Sequence, residues 1–345
     1  MYTYNQEVIA RKLFENLNSY LNNFDNALDI TIGGADVHWN CKLVLGNRTC
    51  EIDCFDDYDH KNKVNAPEYL IEFKDNNEDK AWGRIYEMEE ILSSCKAWMS
   101  NKTMGWLYEN FEFIDWYKRT IQSIEASFIA FQPELAQSEN RLLISQGSGL
   151  CDYEIYNNNR KCALSGFGVI EPVSFKFYWD DCCLFEVQQN DLQRMAFILK
   201  KWLIDNVAPS KLEMEFPEIE VGQLAKYYEK GEGIKGEFLK SWDYIEVFYK
   251  GINRPFVTPL LGLIEILRQK GCDETLRAGI SLFYMILSRS RRNGLVDGQK
   301  FLRFSFDNNK MQVVNELDEV FNFEQIEWNQ ALHQLIIDLE KTEID

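Results

Sequence analysis

The dipeptide Gly46-Asn47 lies between two runs in which apolar and polar side chains alternate, Ala35 to Leu45 and Arg48 to Phe55. Glycine and asparagine tolerate positive φ angles, which the two-residue turns between antiparallel strands require. The sequence therefore predicts a β-hairpin that turns at this dipeptide. A turn at this place also fixes the register, and with it the sheet face on which each residue of both strands lies.

One face of this hairpin is apolar and contains three of the nine cysteines of the chain. Buried thiols behave as small hydrophobic groups, so we expect these cysteines to be core residues. Together with His38 and His60 they also have the residue types of a zinc site, but the register puts His38 on the opposite face. The residues expected on the apolar face are Trp39, Cys41, Leu43, Cys50, Ile52 and Cys54.

Apolar periodicity before and after the hairpin indicates the other elements of this region. The N-terminal helix is announced by a capping box at Thr3 and Gln6. The expected elements are a helix over 5–24, a third strand over 69–74, a polar turn at 76–80, helices over 85–99 and 107–124, and a returning strand at 127–131.

A polar segment that contains Pro133 predicts a boundary between two domains, 1–135 and 140–345. The second part begins with hairpin signals and continues with helical periodicity. The expected elements are hairpin turns at 157–159 and 180–181, helices near 192–202, 220–230, 235–250, 258–270 and 274–292, a hairpin turn at 307–309, and a closing helix over 326–339.

The whole pattern predicts an α+β protein. Its first domain has an N-terminal helix, a β-hairpin, a third strand and helices. Its second domain has a sheet and helices, with a mainly helical C-terminal half. This order of elements leaves open whether the two parts arose by duplication.

The charge of the chain is strongly negative, with 55 acidic and 37 basic side chains and a formal net charge of −18. Such a charge repels phosphate backbones and favours basic protein partners. The cysteines lack the spacing of a disulfide framework, the first residues lack a signal-peptide pattern, and the apolar runs are too short for a membrane span. We therefore expect a cytoplasmic protein with no membrane partner.

The second face of the hairpin is polar and gathers residue types that can carry chemistry. It contains Glu51 and Asp53, and the third strand adds Glu72 and Lys74. The segment Cys50-Glu51-Ile52-Asp53, followed after 18 residues by Ile71-Glu72-Phe73-Lys74, resembles the PD-(D/E)xK motif of restriction-endonuclease-like proteins. The order of helix, hairpin, E-x-K strand and helix resembles that fold too.

The resemblance covers residues 5–131 and implies roles for three side chains. Asp53 and Glu72 would bind a divalent cation, Mg²⁺ or Mn²⁺, whose charge lowers the pKa of a bound water. Lys74 would assist the attack of that water. The proline that often precedes the motif aspartate is missing here.

Two hypotheses of function follow. The first is an acidic protein-binding module, such as an inhibitor, an immunity factor or a subunit of a larger, defence-related complex, which needs no cofactor and binds a basic partner surface. The second is a metal-dependent nuclease acting on DNA or RNA, with Asp53, Glu72 and Lys74 at its centre and a partner that supplies the basic binding surface. The first explains the charge, and the second explains the polar strand face.

One compact basic patch stands out in this acidic chain. It consists of Arg289, Arg291 and Arg292, at the end of the helix expected over 274–292. Cations at this place complement the helix dipole. The same cluster is suited to binding a phosphate group, and the sequence leaves both interpretations open.

Overall fold

The structure is a computed structural model of the 345-residue chain, with two compact units. The first unit comprises Met1–Phe175 and Gln188–Ile204, and the second comprises Lys176–Val187 and Asp205–Asp345. The structure describes residues 6–25, 27–35, 38–59, 64–144, 151–164, 172–292, 295 and 298–344. Thr3 of the expected capping box and His60 lie outside these residues.

The chain begins with helix α1, Gln6–Tyr20, which confirms the expected N-terminal helix and ends four residues before the predicted bound. A five-stranded antiparallel sheet follows, in which neighbouring strands are also consecutive in the chain. Its strands are β1 Asp29–Ala35, β2 His38–Leu45, β3 Arg48–Asp59, β4 Val64–Asp75 and β5 Glu78–Ile85.

The hairpin turn at Gly46-Asn47 is confirmed, because Leu45 pairs with Arg48 and Cys41 pairs with Ile52. The apolar face packs against α1 and against helix α2, Met88–Met99. The three hairpin cysteines are 0–1% exposed within this core. The interpretation of these thiols as core residues is thus confirmed.

Strand β5 was not predicted, and its last residue, Ile85, was expected to begin a helix. Asn76 and Asn77 both have positive φ angles and form the tight turn between β4 and β5. Ala81 and Ile85 are then buried on alternate positions, as in a strand with one face on the core. The prediction that helix begins at Ile85 was wrong, since α2 begins at Met88.

Two further helices follow α2 in the first unit, α3 Met104–Asn110 and α4 Trp116–Phe131. Residues 111–115 lie between them, from Phe111 in an extended conformation to Asp115 in a left-handed one (φ 52°), so the single helix expected over 107–124 was wrong. The expected strand at 127–131 was wrong, since these residues form the last turns of α4. A short 3-10 helix at Pro133–Gln137 follows at the predicted domain boundary, and a division at 135–140 stays a prediction.

A second antiparallel sheet also joins strands in chain order. The hairpin turns expected at 157–159 and 180–181 are confirmed, with Asn158, Asp180 and Asp181 at positive φ. The elements are β6 Glu139–Ile144, β7 Cys151–Asn157, β8 Arg160–Leu164, β9 Ser174–Trp179, β10 Cys182–Gln188 and helix α5 Leu192–Leu203.

The first unit contains the same arginine–tryptophan arrangement twice. Arg48 lies over the Trp98 ring at 4.0 Å and donates to the Trp98 carbonyl at 2.7 Å, while the indole nitrogen donates to the Thr49 carbonyl at 3.1 Å. Arg160 lies over the Trp202 ring at 4.2 Å and donates to the Trp202 carbonyl at 3.2 Å. The Trp202 indole donates to the carbonyl of Lys161, also at 3.2 Å. Each arrangement fixes a hairpin turn to the helix that follows its sheet.

The second unit contains most of the remaining helices. The helices expected near 220–230, 235–250 and 258–270 are confirmed, whereas a further short helix at 209–215 was not predicted. Their bounds are α6 Pro209–Glu215, α7 Gln223–Glu229, α8 Gly233–Lys250, α9 Val257–Gln269 and α10 Cys272–Thr275.

The helix expected over 274–292 was wrong. Only α10 is helical there, and the chain continues as the first two strands of a third antiparallel sheet. The Arg289 patch therefore follows a strand instead of ending a helix, and Arg289 donates to the carbonyl of Glu340 at the C-terminal end of the closing helix. The elements are β11 Arg277–Ser281, β12 Tyr284–Ser288, β13 Phe301–Asp307, β14 Lys310–Asn315, β15 Val320–Phe323 and helix α11 Gln330–Glu340.

These elements define a mixed α+β protein with three antiparallel sheets in the described residues, as the sequence predicts. The hairpin turn at 307–309 and the closing helix are confirmed. The third sheet packs on α8, α9 and α11 around a core that includes Trp242, Tyr249 and Phe304. None of the described helices has the length and apolar character needed to cross a membrane.

Candidate functional site

The polar face of the first sheet is the place where the sequence puts its candidate residues. Glu51 of β3 lies directly opposite Glu72 of β4, and Asp53 is two residues further along β3. Like charges on directly opposed residues destabilise a sheet. The face is therefore a local concentration of negative charge that needs a cation.

Lys74 supplies that cation. Its Nζ lies 2.8 Å from Glu72 Oε2, 3.2 Å from Glu51 Oε2 and 3.6 Å from Asp79 Oδ1. The Lys74 side chain is only 23% exposed, so these ion pairs are partly shielded from solvent. Asp79 reaches the lysine because a β-bulge between Phe73 and Lys74 shifts the register with β5.

The pKa of Lys74 reflects this arrangement. Burial of the ammonium lowers its pKa, but the hydrogen bonds and negative charges of Glu72 and Glu51 outweigh burial and raise it above the usual range. Lys74 is consequently positively charged at neutral pH. It acts as the counter-ion of the two glutamates.

The same negative charges that stabilise charged Lys74 destabilise the charged form of Asp53. Burial, and then the negative charges of Glu51 and Glu72, raise the pKa of this carboxyl above its ordinary value. A hydrogen bond from the Asn40 side chain and the nearby His38 act in the opposite direction and are weaker. No ion pair of Asp53 exists within the described residues, so its negative charge is the least compensated on the face.

The β5 end of the same face is closed. Glu68 is 4% exposed and pairs with Arg84 at 3.5 Å, and Tyr86 donates to the same carboxylate at 3.3 Å. Trp82 stacks on Tyr117 of α4, with 6.4 Å between the ring centroids. The accessible part of the face thus lies around β3 and the middle of β4.

The structure brings together the three side chains that the resemblance selects. Glu72 and Lys74 are in direct contact, and Asp53 is near enough to Glu72 for that charge to raise its pKa. Sequence reasoning placed Glu51 on the face without assigning it a role, and it missed Asp79 because residues 76–80 were expected to form a turn.

Metal binding on this face would depend on two carboxylates, those of Asp53 and Glu72, which offer the oxygen ligands that Mg²⁺ and Mn²⁺ prefer. Within the described parts of the chain, no group of three or more His, Cys, Asp or Glu side chains is arranged to hold a metal ion. The element order also departs from the resemblance, since β5 lies between the E-x-K strand and α2.

The fold and the face therefore define an α+β protein with a half-buried acidic cluster on an antiparallel sheet. Comparison with protein-family models, with curated proteins and with solved structures finds no match for this chain. The resemblance to PD-(D/E)xK proteins stays a prediction from the motif alone.

Proposed function

We propose that this protein is an acidic cytoplasmic protein-binding module, such as an inhibitor, an immunity factor or a subunit of a larger, defence-related complex. Its partner has a basic surface and docks on the polar face of the first sheet. The observation that carries the proposal is Asp53, whose half-buried negative charge lies beside Glu51 and Glu72 and has no ion pair in the described structure.

An arginine or lysine from a partner would relieve this imbalance. It would add the charge that Lys74 cannot supply to three carboxylates at once, in a partly desolvated place where ion pairs are stronger than at an open surface. The net charge of −18 would add long-range attraction and raise the association rate. Both effects favour a basic partner.

The test compares capture of proteins by the immobilised wild type and by the variant Glu51→Gln/Asp53→Asn/Glu72→Gln. A control variant, Glu134→Gln/Asp191→Asn/Glu265→Gln, removes three exposed carboxylates away from this face. We expect a basic protein to bind the wild type and the control, and to be lost from the face variant. Equal binding to all three proteins would refute the proposed surface.

A second function is favoured by the contact between Glu72 and Lys74 together with the nearby Asp53. This is the metal-dependent nuclease, in which Asp53 and Glu72 would hold Mg²⁺ or Mn²⁺ and a protein partner would supply the basic surface for DNA or RNA. When bound, the metal would lower the pKa of a water. Lys74 would stabilise charge that develops at the attacked phosphate.

This alternative is tested by cleavage of single- and double-stranded DNA and RNA with Mg²⁺ or Mn²⁺. The proteins are the wild type, Lys74→Ala and, as a matched control on the same sheet face, Lys42→Ala. Activity that is lost only in Lys74→Ala would support the nuclease. Wild-type protein that cleaves no substrate, alone or with the partner captured above, would exclude it.

A further inference from the structure

A cavity of about 860 Å³ lies within the second unit. The β9–β10 hairpin, α8, β11 and β12 form its walls, together with Arg292. Its volume is in the range of small-molecule sites in proteins. The cavity shares no residue with the polar face of the first sheet.

One face of α8 lines this cavity. Glu237, Lys240, Ser241 and Tyr244 follow each other at positions i, i+3, i+4 and i+7, so all four side chains are on the same side of the helix. Ser241 is occupied in the fold, because its hydroxyl donates to the Phe238 carbonyl and accepts from the Ala278 amide. Lys240 and Tyr244 are exposed and available to a ligand, whereas Glu237 is 6% exposed and already has partners.

The cavity is cationic although the chain as a whole is acidic. Its walls contain three basic side chains, Lys240, Arg277 and Arg292, and two acidic ones, Asp181 and Glu237. Glu237 is already compensated, because its Oε1 accepts from Arg291 Nε at 3.0 Å and from the Tyr228 hydroxyl. Arg291 itself lies outside the lining.

Two of the basic groups are weakly engaged. Arg292 reaches Asp181 only at 3.7 Å and Glu237 only at 3.9 Å, and its Nε is shielded from solvent without a hydrogen bond to any described residue. Lys240 has no ion pair in the part of the chain that the structure describes. Asp181 is 72% exposed and can turn to solvent when another anion approaches Arg292.

We propose that this cavity binds a small molecule that carries a phosphate group on an aromatic or apolar body. Two weakly engaged cations match a phosphate monoester, which carries about 1.5 to 2 negative charges at pH 7, better than they match a single carboxylate. The volume that remains is lined by apolar and aromatic groups, which include Tyr178, Tyr244, Ile280 and Ile286. Tyr244 is 64% exposed and offers a ring on which such a body can stack.

The two cysteines of the cavity belong to its wall and have no part in this proposal as nucleophiles. Burial raises the pKa of both the Cys182 and the Cys183 thiol, and the positive charge of Lys240 only partly offsets that increase. Both thiols are therefore protonated at neutral pH and act as small apolar groups. Ligand binding is non-covalent.

The test measures binding of adenosine monophosphate, adenosine and inorganic phosphate to the full chain, by calorimetry and by thermal melting. We expect the monophosphate to raise the melting temperature at about 10 mM or below, and adenosine without phosphate to bind at least about tenfold more weakly. Lys240→Gln and Arg292→Gln should each weaken binding of the monophosphate by about tenfold or more.

The matched control is Lys250→Gln, which removes the same charge from the same helix outside the cavity. It should bind as the wild type does. Tyr244→Ala should weaken the monophosphate and leave inorganic phosphate unchanged. The proposal is overturned if neither phosphate compound stabilises the wild type, or if Lys250→Gln weakens binding as much as Lys240→Gln does.

Discussion

At the scale of single residues, Lys74 neutralises two opposed carboxylates on one sheet face, whereas Asp53 on the same face has no such counter-ion among the described residues. Lys74 joins Glu51 and Glu72, which would otherwise repel each other across the β3–β4 pair. Asp53 is left beside them without a cation of its own. A cost in stability is therefore retained at the place where we propose that a partner binds.

This cost predicts the behaviour of Asp53→Asn. The raised pKa means that the folded state binds the Asp53 proton more tightly than the unfolded state, so this group lowers stability as pH rises from about 3.9 through the folded-state value. We expect the variant to be more stable than the wild type above that range, by up to about 1 kcal/mol, and the gain to shrink as pH falls.

Urea denaturation between pH 5 and 8 would measure the gain. Asp29→Asn, which removes the same charge at an exposed position of β1, is the control. A wild type that is more stable than Asp53→Asn at pH 8 would contradict the assignment of Asp53 as an uncompensated charge.

The residues of this face were predictable because a two-residue turn and strict alternation fix the side of every residue in β2 and β3. Asp79 was not, because its contact with Lys74 depends on a β-bulge, which leaves no clear mark in the sequence. The cavity residues of α8 were not either. Their helix was predicted, but their position opposite β11 depends on a strand in a segment whose periodicity predicted a helix.

At the scale of elements, the wrong assignments at Ile85 and over 274–292 have different physical causes. Ile85 precedes Met88 and Leu92 at helical spacing, so periodicity extends α2 backwards into β5. The β11–β12 hairpin is a nearly continuous apolar run whose turn, Leu282-Phe283, has no glycine, asparagine or proline. A run of this kind does not distinguish a helix from a hairpin.

The unusual turn makes a prediction for Leu282. This residue has a positive φ of 57°, a left-handed conformation that is strained for leucine. Its side chain is 79% exposed, so burial of apolar surface does little to offset that strain. We expect Leu282→Asn to increase the free energy of unfolding by about 0.5–1 kcal/mol, because asparagine tolerates that conformation. Chemical denaturation measures this free energy, with Phe283→Asn as the neighbouring control. A loss of stability in Leu282→Asn would contradict the prediction.

The arginine–tryptophan arrangement predicts a large effect of Trp98→Phe. The ring is buried, and the change removes the hydrogen bond to Thr49 and the indole face under Arg48. We expect a loss of about 2–3 kcal/mol. Trp116→Phe, the same change at a half-buried ring, should cost less, and equal losses in denaturant titrations would argue against the arrangement as an anchor.

At the scale of the whole molecule, the net charge of −18 gives an expectation for salt. Repulsion among the excess carboxylates destabilises the compact state, and salt screens it. The melting temperature should therefore rise between about 0.01 and 0.15 M NaCl. If it falls over this range, the local ion pairs, such as those of Lys74, contribute more than the global repulsion does.

The α+β class was predictable for the whole chain because it depends on where helical and alternating segments occur, and most of these were long enough to be unambiguous. The third sheet escaped recognition as a sheet because only its β13–β14 hairpin has a recognisable turn, Asn308-Asn309. The cavity of the second unit depends on that sheet. The sequence therefore pointed to the arginine cluster but not to the walls around it.

The two arginine–tryptophan arrangements also bear on how long the folded chain persists. Arg48 and Trp98 are 50 residues apart, and Arg160 and Trp202 are 42 residues apart. Each contact closes a long loop, so we expect it to form after the strands between its partners have paired. Interactions that are absent from the transition state slow unfolding and leave the folding rate nearly unchanged. We therefore expect the two tryptophans to govern the lifetime of the native state more than the speed at which it is reached.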